Sequence, residues 1–192
     1  GGPTEPVAAN SSRLYNFTLD QPAASLWFHP HPHGQTAEQV YRGLAGVFLL
    51  TDDIDDQLRS ANQVPAVEHD IPVVVQDRLF EAEVSGERLL TYSDDHMSGF
   101  GMMGGTTLVN GAELPRLSVE TRQYTLRLYN ASNSRTYDFA LHDGRSFTIV
   151  GSDGGWLPEP VQADHIVLSA GERAAIVIDF AADQVGDRLM LV

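Results

Sequence analysis

The sequence predicts an all-β protein: a Greek-key sandwich or barrel forming one complete domain, with part of another ahead of it. Three observations predict this. Apolar and polar residues alternate over short runs such as 13–19, where Tyr15, Phe17 and Leu19 share one face. β-branched residues crowd runs such as 71–76 and 174–180. Glycine, proline and asparagine punctuate the chain, and two of these breaks are sharp: Asn110-Gly111 suits a tight hairpin, and Asp153-Gly154-Gly155 supplies positions that tolerate positive φ.

Taken in order, a first series holds strands at 13–19, 25–31 and 46–51, with a short helical stretch near 36–41 between the last two. Residues 52–63 are acidic and read as a linker with room for one helical turn, ending at Pro65. A second series follows, with strands at 71–76, 107–109, 117–120, 124–129, 137–141, 147–151, 165–168, 174–180 and 188–192. Strands at that spacing suit an all-β domain of about 100 to 130 residues. The chain has 192 residues and 42% hydrophobic content, enough for one full core and part of a second. The expected division is a partial domain over 1–52, a linker over 53–66 and a complete domain over 67–192. The first series is too short for a closed barrel, so the chain is expected to start inside a domain. No repeat at a fixed period is visible, which disfavours a solenoid or propeller.

Composition excludes several function classes. A formal net charge of −14, with 12 lysines and arginines, repels phosphate backbones and anionic lipid, so neither nucleic acid nor membrane is an expected partner. Neither an apolar run of about 18 residues nor a charged-then-apolar leader is present in these residues. The acidic run Asp52, Asp53, Asp55 and Asp56 reads as a solvated loop. With no cysteine, any metal must be held by histidine and carboxylate. The Asn-X-Ser/Thr triplets at Asn10, Asn16 and Asn130 would matter only in a eukaryotic secretory host.

One segment carries chemistry: Trp27-Phe28-His29-Pro30-His31-Pro32-His33-Gly34. On an extended strand, residues two apart share a face, so the imidazoles of His29 and His31 are expected side by side, with Cβ atoms roughly 6 to 7 Å apart. Two metal ions a few ångström apart could each take one. Pro30 and Pro32 remove backbone donors, stiffen the segment and confine it to a strand end or an edge. Neutral imidazole suits copper, iron, nickel or zinc, and its second nitrogen is usually held by an acceptor. His33, past the end of the strand, is expected to support a ligand or face solvent, and Trp27 to pack beside the pair. His69, His96, His142 and His165 are isolated and read as structural or exposed. Met97, Met102 and Met103 could bind cuprous ion, but read as incidental in a glycine-rich loop. Trp156, beside Gly154 and Gly155, is expected to pack between domains.

Three blocks resemble the multicopper oxidases of the bacterial laccase, copper-efflux oxidase and bilirubin oxidase group. Residues 27–52, WFHPHPHGQTAEQVYRGLAGVFLLTD, resemble the end of that family's first cupredoxin domain. Residues 106–133, TTLVNGAELPRLSVETRQYTLRLYNASN, and the region around SDGGWLPEPV and LSAGERAAIVIDF are similar to its second domain. The resemblance implies a cupredoxin-like fold and a copper cofactor, a trinuclear cluster held by four His-X-His motifs from the first and last domains. The motif here resembles the second of the four, which implies that His29 and His31 ligate the two ions of the type 3 pair. It implies further that the first motif, the blue type 1 copper and a proton-delivering aspartate before Gly1 lie outside this chain, which alone would be inactive. The implied activity is one-electron oxidation of phenols, bilirubin-like compounds or cuprous ion, coupled to reduction of O2 to water. The implied partners are O2, that reducing substrate and the remaining domains, in an extracytoplasmic setting.

Two other readings compete. His31-Pro32-His33 followed by Glu38 imitates the mononuclear metal motif of cupins, but no later motif with a second histidine follows. A stand-alone cupredoxin-like binding or scaffold module would explain the missing cysteine.

Overall fold

The computed structural model describes residues 5–82, 86–93, 97–99 and 101–192. The first elements are strand β1 (Ala24–Phe28), helix α1 (Thr36–Tyr41), strand β2 (Gly46–Leu50) and helix α2 (Asp53–Ser60), followed by a 3-10 turn at Val67–His69. Strands β3 (Asp70–Arg78), β4 (Phe80–Ala82), β5 (Arg88–Leu90), β6 (Met97–Ser98) and β7 (Gly101–Met102) come next. They are followed by β8 (Thr106–Val109), β9 (Ala112–Glu113), β10 (Gln123–Asn130), β11 (Tyr137–Ala140), β12 (Phe147–Ser152), β13 (Gly155–Ala163), β14 (His165–Leu168) and β15 (Arg173–Asp179). The protein is mostly β, as expected.

β1 and β2 form an antiparallel pair with Trp27 opposite Val47. The principal sheet has seven strands in the order β13-β12-β15-β10-β3-β8-β9 and is open, so the fold is a sandwich without barrel closure. β3 and β10 run parallel within it, Val73 opposite Leu128. Its inner face packs on the separate β11-β14 pair. Leu128 and Ile176 are fully buried there among Val73, Phe139, Phe147 and Leu168. At about 25 cal/mol per Å² of apolar surface, such burial drives the sandwich together.

The elements depart from the sequence reading in several places. Residues 13–19 form no strand, and Leu14 and Phe17 are 90% and 68% exposed, because among the described residues no strand pairs with them. The strand expected over 25–31 stops at Phe28, since Pro30 cannot donate to a ladder. Residues 117–120 stay outside the sheet, and 188–192 contribute a single bridge, Leu191 to Leu141. β13 was not expected, because Pro158 and Pro160 fall within it. It lies at the sheet edge, where a missing donor breaks no ladder.

The acidic run departs as well. It is helix α2, with Asp52 accepting from the Asp55 amide at 2.9 Å as N-cap. Asp55, 2% exposed, pairs with Arg59 at 2.9 Å instead of facing solvent. Donation from the Ala23 and Asp55 amides holds the Asp52 carboxyl below its ordinary range. Asn130 of the third glycosylation triplet is 1% exposed and donates to the carbonyls of Arg135 and Leu168, so it serves the fold.

Candidate metal centre

The histidine segment begins where β1 ends. Past Phe28 no ladder sets side-chain alternation, yet the rings still align: Trp27 lies 4.9 Å from His29 and His29 lies 4.8 Å from His31, centroid to centroid. The two imidazoles are tilted by 34°. His29 Nδ1 is 3.0 Å from the Pro30 carbonyl oxygen. A carbonyl only accepts, so Nδ1 carries the proton and the Nε2 lone pair is left for a metal. His29 is half-buried, while His31 and His33 are exposed. The chain then turns: the Pro32 carbonyl accepts from the Gln35 amide at 3.2 Å and from Thr36 Oγ1 at 3.0 Å, and Gly34 takes φ +74°.

This donor set suits copper, which favours imidazole nitrogen. It is also incomplete. Among the described residues no group of three or more histidine, cysteine, aspartate or glutamate side chains could hold a metal ion. The His29 and His31 pair therefore offers one nitrogen to each of two ions, or two to one, with the other positions left to further donors.

The segment is anchored to the seven-stranded sheet at both ends. Upstream, Arg127 Nη1 donates to Ser25 Oγ at 2.8 Å and Arg173 Nε donates to the Ser25 carbonyl at 2.8 Å. Arg127 also grips Asp70 through two 2.7 Å bonds, and Asp70 takes a third 2.7 Å bond from Arg59. Downstream, Tyr41 Oη accepts from the Leu79 amide at 2.6 Å, Arg78 lies 4.6 Å from the Tyr41 ring centre, and Asn133 Nδ2 donates to the Ala37 carbonyl at 2.8 Å. Sequence reasoning missed these supports. The signal for Arg127 was present, a lone cation inside the apolar run of β10.

The other candidates do not gather into a site. His69 packs edge-on against Tyr124, 4.9 Å away, and His142 Nδ1 accepts from the Met190 amide at 3.0 Å. His165, exposed, pairs with Asp164 at 2.8 Å, which raises its pKa above the ordinary 6.5. His96 lies outside the described residues. Met102 is 2% exposed inside the fold and Met103 is half-buried, while Met97 is opposite Met102 in the β6-β7 pair. Trp156 lies under Arg127, 5.0 Å from ring to guanidinium, and packs on Val150, Ala175 and Val177.

Comparison with known proteins identifies the family. A multicopper oxidase family model matches residues 74–192, and a second multicopper oxidase model matches residues 1–54. The chain belongs to the multicopper oxidase family. Among curated members it is 38% identical over 179 residues to the cell division protein FtsP of Salmonella typhimurium, covering 93% of this chain and 36% of that one. It is 34% identical over 194 residues to the multicopper oxidase mco of Staphylococcus epidermidis, covering 100% and 40%. Among solved structures, a laccase from Pediococcus acidilactici superposes with a TM-score of 0.89 at 38% identity, over 100% of this chain and 40% of that one. This multicopper oxidase chain thus spans about two-fifths of the length of the relatives it matches.

Proposed function

We propose that this chain is part of a copper-dependent oxidase in which His29 and His31 each ligate a different ion of the type 3 pair. In this reading residues 1–52 close the first cupredoxin domain, 53–66 link the domains, and 67–192 form a second domain without catalytic copper. The observation that carries it is the His29-His31 stack at 4.8 Å, with His29 Nδ1 committed to the Pro30 carbonyl. When bound, copper supplies the redox chemistry that takes single electrons from a reducing substrate and passes them to O2, giving water. The chain's own residues orient and hold: Pro30 sets the His29 tautomer and Trp27 packs against its ring. The electron donor belongs to the class of phenols, bilirubin-like compounds or cuprous ion. The laccase-like oxidase CueO of Ochrobactrum, 32% identical with a TM-score of 0.82, is described as acting on lignin model compounds. The other partners are O2 and the remaining domains of the oxidase, in an extracytoplasmic setting. A net charge of −14 fits the absence of nucleic acid from that set.

The relatives named for cell division favour a second reading, a cupredoxin-like module that scaffolds without redox turnover. One purified set decides between them. Cu(II) binding by dialysis, with nitrogen couplings read by electron paramagnetic resonance, is compared in the wild-type chain, His29→Ala, His31→Ala and His33→Ala. Each of the first two substitutions should remove nitrogen coupling, and His33→Ala should weaken binding by at most about 10- to 100-fold. Loss only in His33→Ala would move the ligand register by two. Wild-type binding no tighter than that of His29→Ala would leave the scaffold reading.

A further inference from the structure

We infer that docking of helix α1 on the seven-stranded sheet is what holds His29 and His31 side by side, with Tyr41, Arg78 and Asn133 as positioning residues. The inference rests on reading the two histidines as copper ligands. It starts from a gap in the backbone ladder. β1 ends at Phe28 and the next regular element begins at Thr36, so no strand pairing restrains residues 29–35. Their geometry is set at the ends.

The downstream end cannot hold itself. α1 has six residues, and its N-cap Gln35 makes no side-chain capping bond. Isolated helices shorter than about 12 residues are marginal in water, so α1 exists through what it packs on. Tyr41 is 1% exposed and its hydroxyl accepts from Leu79, in the chain just past β3. Arg78, 3% exposed at the end of β3, donates to the Val40 carbonyl at 3.3 Å and lies against the Tyr41 ring. Asn133, just past β10, holds the Ala37 carbonyl at 2.8 Å. Three side chains thus fasten both ends of the helix to the ends of two adjacent strands of the sheet.

The link from helix to histidines is short and stiff. Thr36 Oγ1 and the Gln35 amide both bind the carbonyl of Pro32, the residue between His31 and His33. Pro30 and Pro32 have fixed φ, so a shift of α1 is passed to the imidazoles instead of being absorbed between them. Gly34, at φ +74°, takes the left-handed conformation of the turn that these two bonds close. Arg78, Tyr41 and Asn133 touch neither imidazole among the contacts described, and act through the helix.

The test uses the 192-residue chain, labelled with nitrogen-15, and two gentle variants: Tyr41→Phe, which removes one hydroxyl, and Asn133→Ala, which removes one amide. Long-range proton-nitrogen spectra read the imidazole tautomers, Cu(II) titration reads affinity, and thermal melts read the fold. The wild type should show His29 as a single tautomer protonated at Nδ1. Both variants should mix the tautomers and weaken Cu(II) by about 10- to 100-fold at temperatures where the fold is intact. Asp183→Ala is the control. It removes the two bonds from Arg145, beyond the end of β15 opposite to the one that holds Ser25, and should lower stability without moving tautomer or affinity. Unchanged tautomers and affinity in Tyr41→Phe and Asn133→Ala, or equal changes in Asp183→Ala, would overturn the inference. Tautomers that respond while wild-type Cu(II) binding matches His29→Ala would support the positioning role and sink the copper assignment.

Discussion

The β1-β2 region and the seven-stranded sandwich solve the problem of stability in opposite ways. The sandwich is held by its own apolar core, with Leu128 and Ile176 fully buried and Val73, Phe139 and Leu168 closing around them. Among the described residues the β1-β2 pair has no such core. Phe28 in β1 is 62% exposed and Leu49 in β2 41%, and the pair is held to the sandwich by polar anchors, Arg127 and Arg173 on Ser25. The segment with the candidate chemistry thus borrows its order from the segment without it. That division is physically sensible, because residues that must present imidazole nitrogens outward cannot also bury themselves in a core.

The most severe break should come from Arg127→Ala. It strips the buried Asp70 carboxylate, 4% exposed, of a bidentate partner and releases Ser25 at once. Removing one member of a buried pair costs on the order of 3–5 kcal/mol. Urea unfolding should show that loss, and hydrogen exchange should show both regions opening. A loss confined to the sandwich would mean that the anchor does not couple them.

Gly155→Ala should separate the regions more selectively. Gly155 sits at φ +119°, and an added Cβ would stand 2.3 Å from the Ala23 carbonyl oxygen, so β1 must back away from the sheet. Strain of this kind costs on the order of 1–3 kcal/mol. Exchange protection in β1 and β2 should fall while that of β10 and β15 persists, and uniform loss across both would contradict the comparison.

Ile176→Val probes the self-supporting side. Trimming one methylene from a fully buried position should cost about 0.5–1.5 kcal/mol by thermal melting. Because the sandwich scaffolds the pair but is distant from it in chemistry, the His29 tautomer should not change. A mixed tautomer in this variant would show that core packing itself tunes the imidazoles.

The smallest effect concerns His165. Its pKa is raised by Asp164, so its contribution to stability is present below the ordinary 6.5 and is lost as pH rises through the higher folded value. Both side chains are exposed and solvent screens the pair, so the change in stability should be the smallest of the set. The midpoint of its imidazole titration should lie above 6.5 and fall toward that value in Asp164→Asn, with the charge of Asp138 still in place. An unshifted wild-type midpoint would remove the pair as an interaction.

Much of the fold was legible because the sandwich strands are short, β-branched and bounded by turn residues, as in β10 and β15. The errors share a cause. Residues 13–19 alternate well and still form no strand, because alternation marks a face that needs a partner and says nothing about whether one is present. β13 was invisible because proline forbids a central strand and permits an edge, and edge position is a property of the whole sheet. The acidic run concealed a helix whose buried Asp55 is matched by Arg59 one turn on.

The sequence by itself determined the all-β class, most of the longer strands of the sandwich and the identity of the paired imidazoles, because these rest on local periodicity and on residue type. Tertiary structure alone decided the parallel pairing of β3 with β10, the burial of Arg127 against Asp70 and Ser25, and the docking of α1 on Leu79 and Asn133. Each of these joins groups far apart in sequence, up to 102 residues in the case of Arg127 and Ser25. Long-range pairs carry no local signal: the energy that selects them appears only when the sheet has formed and both groups are taken out of water together.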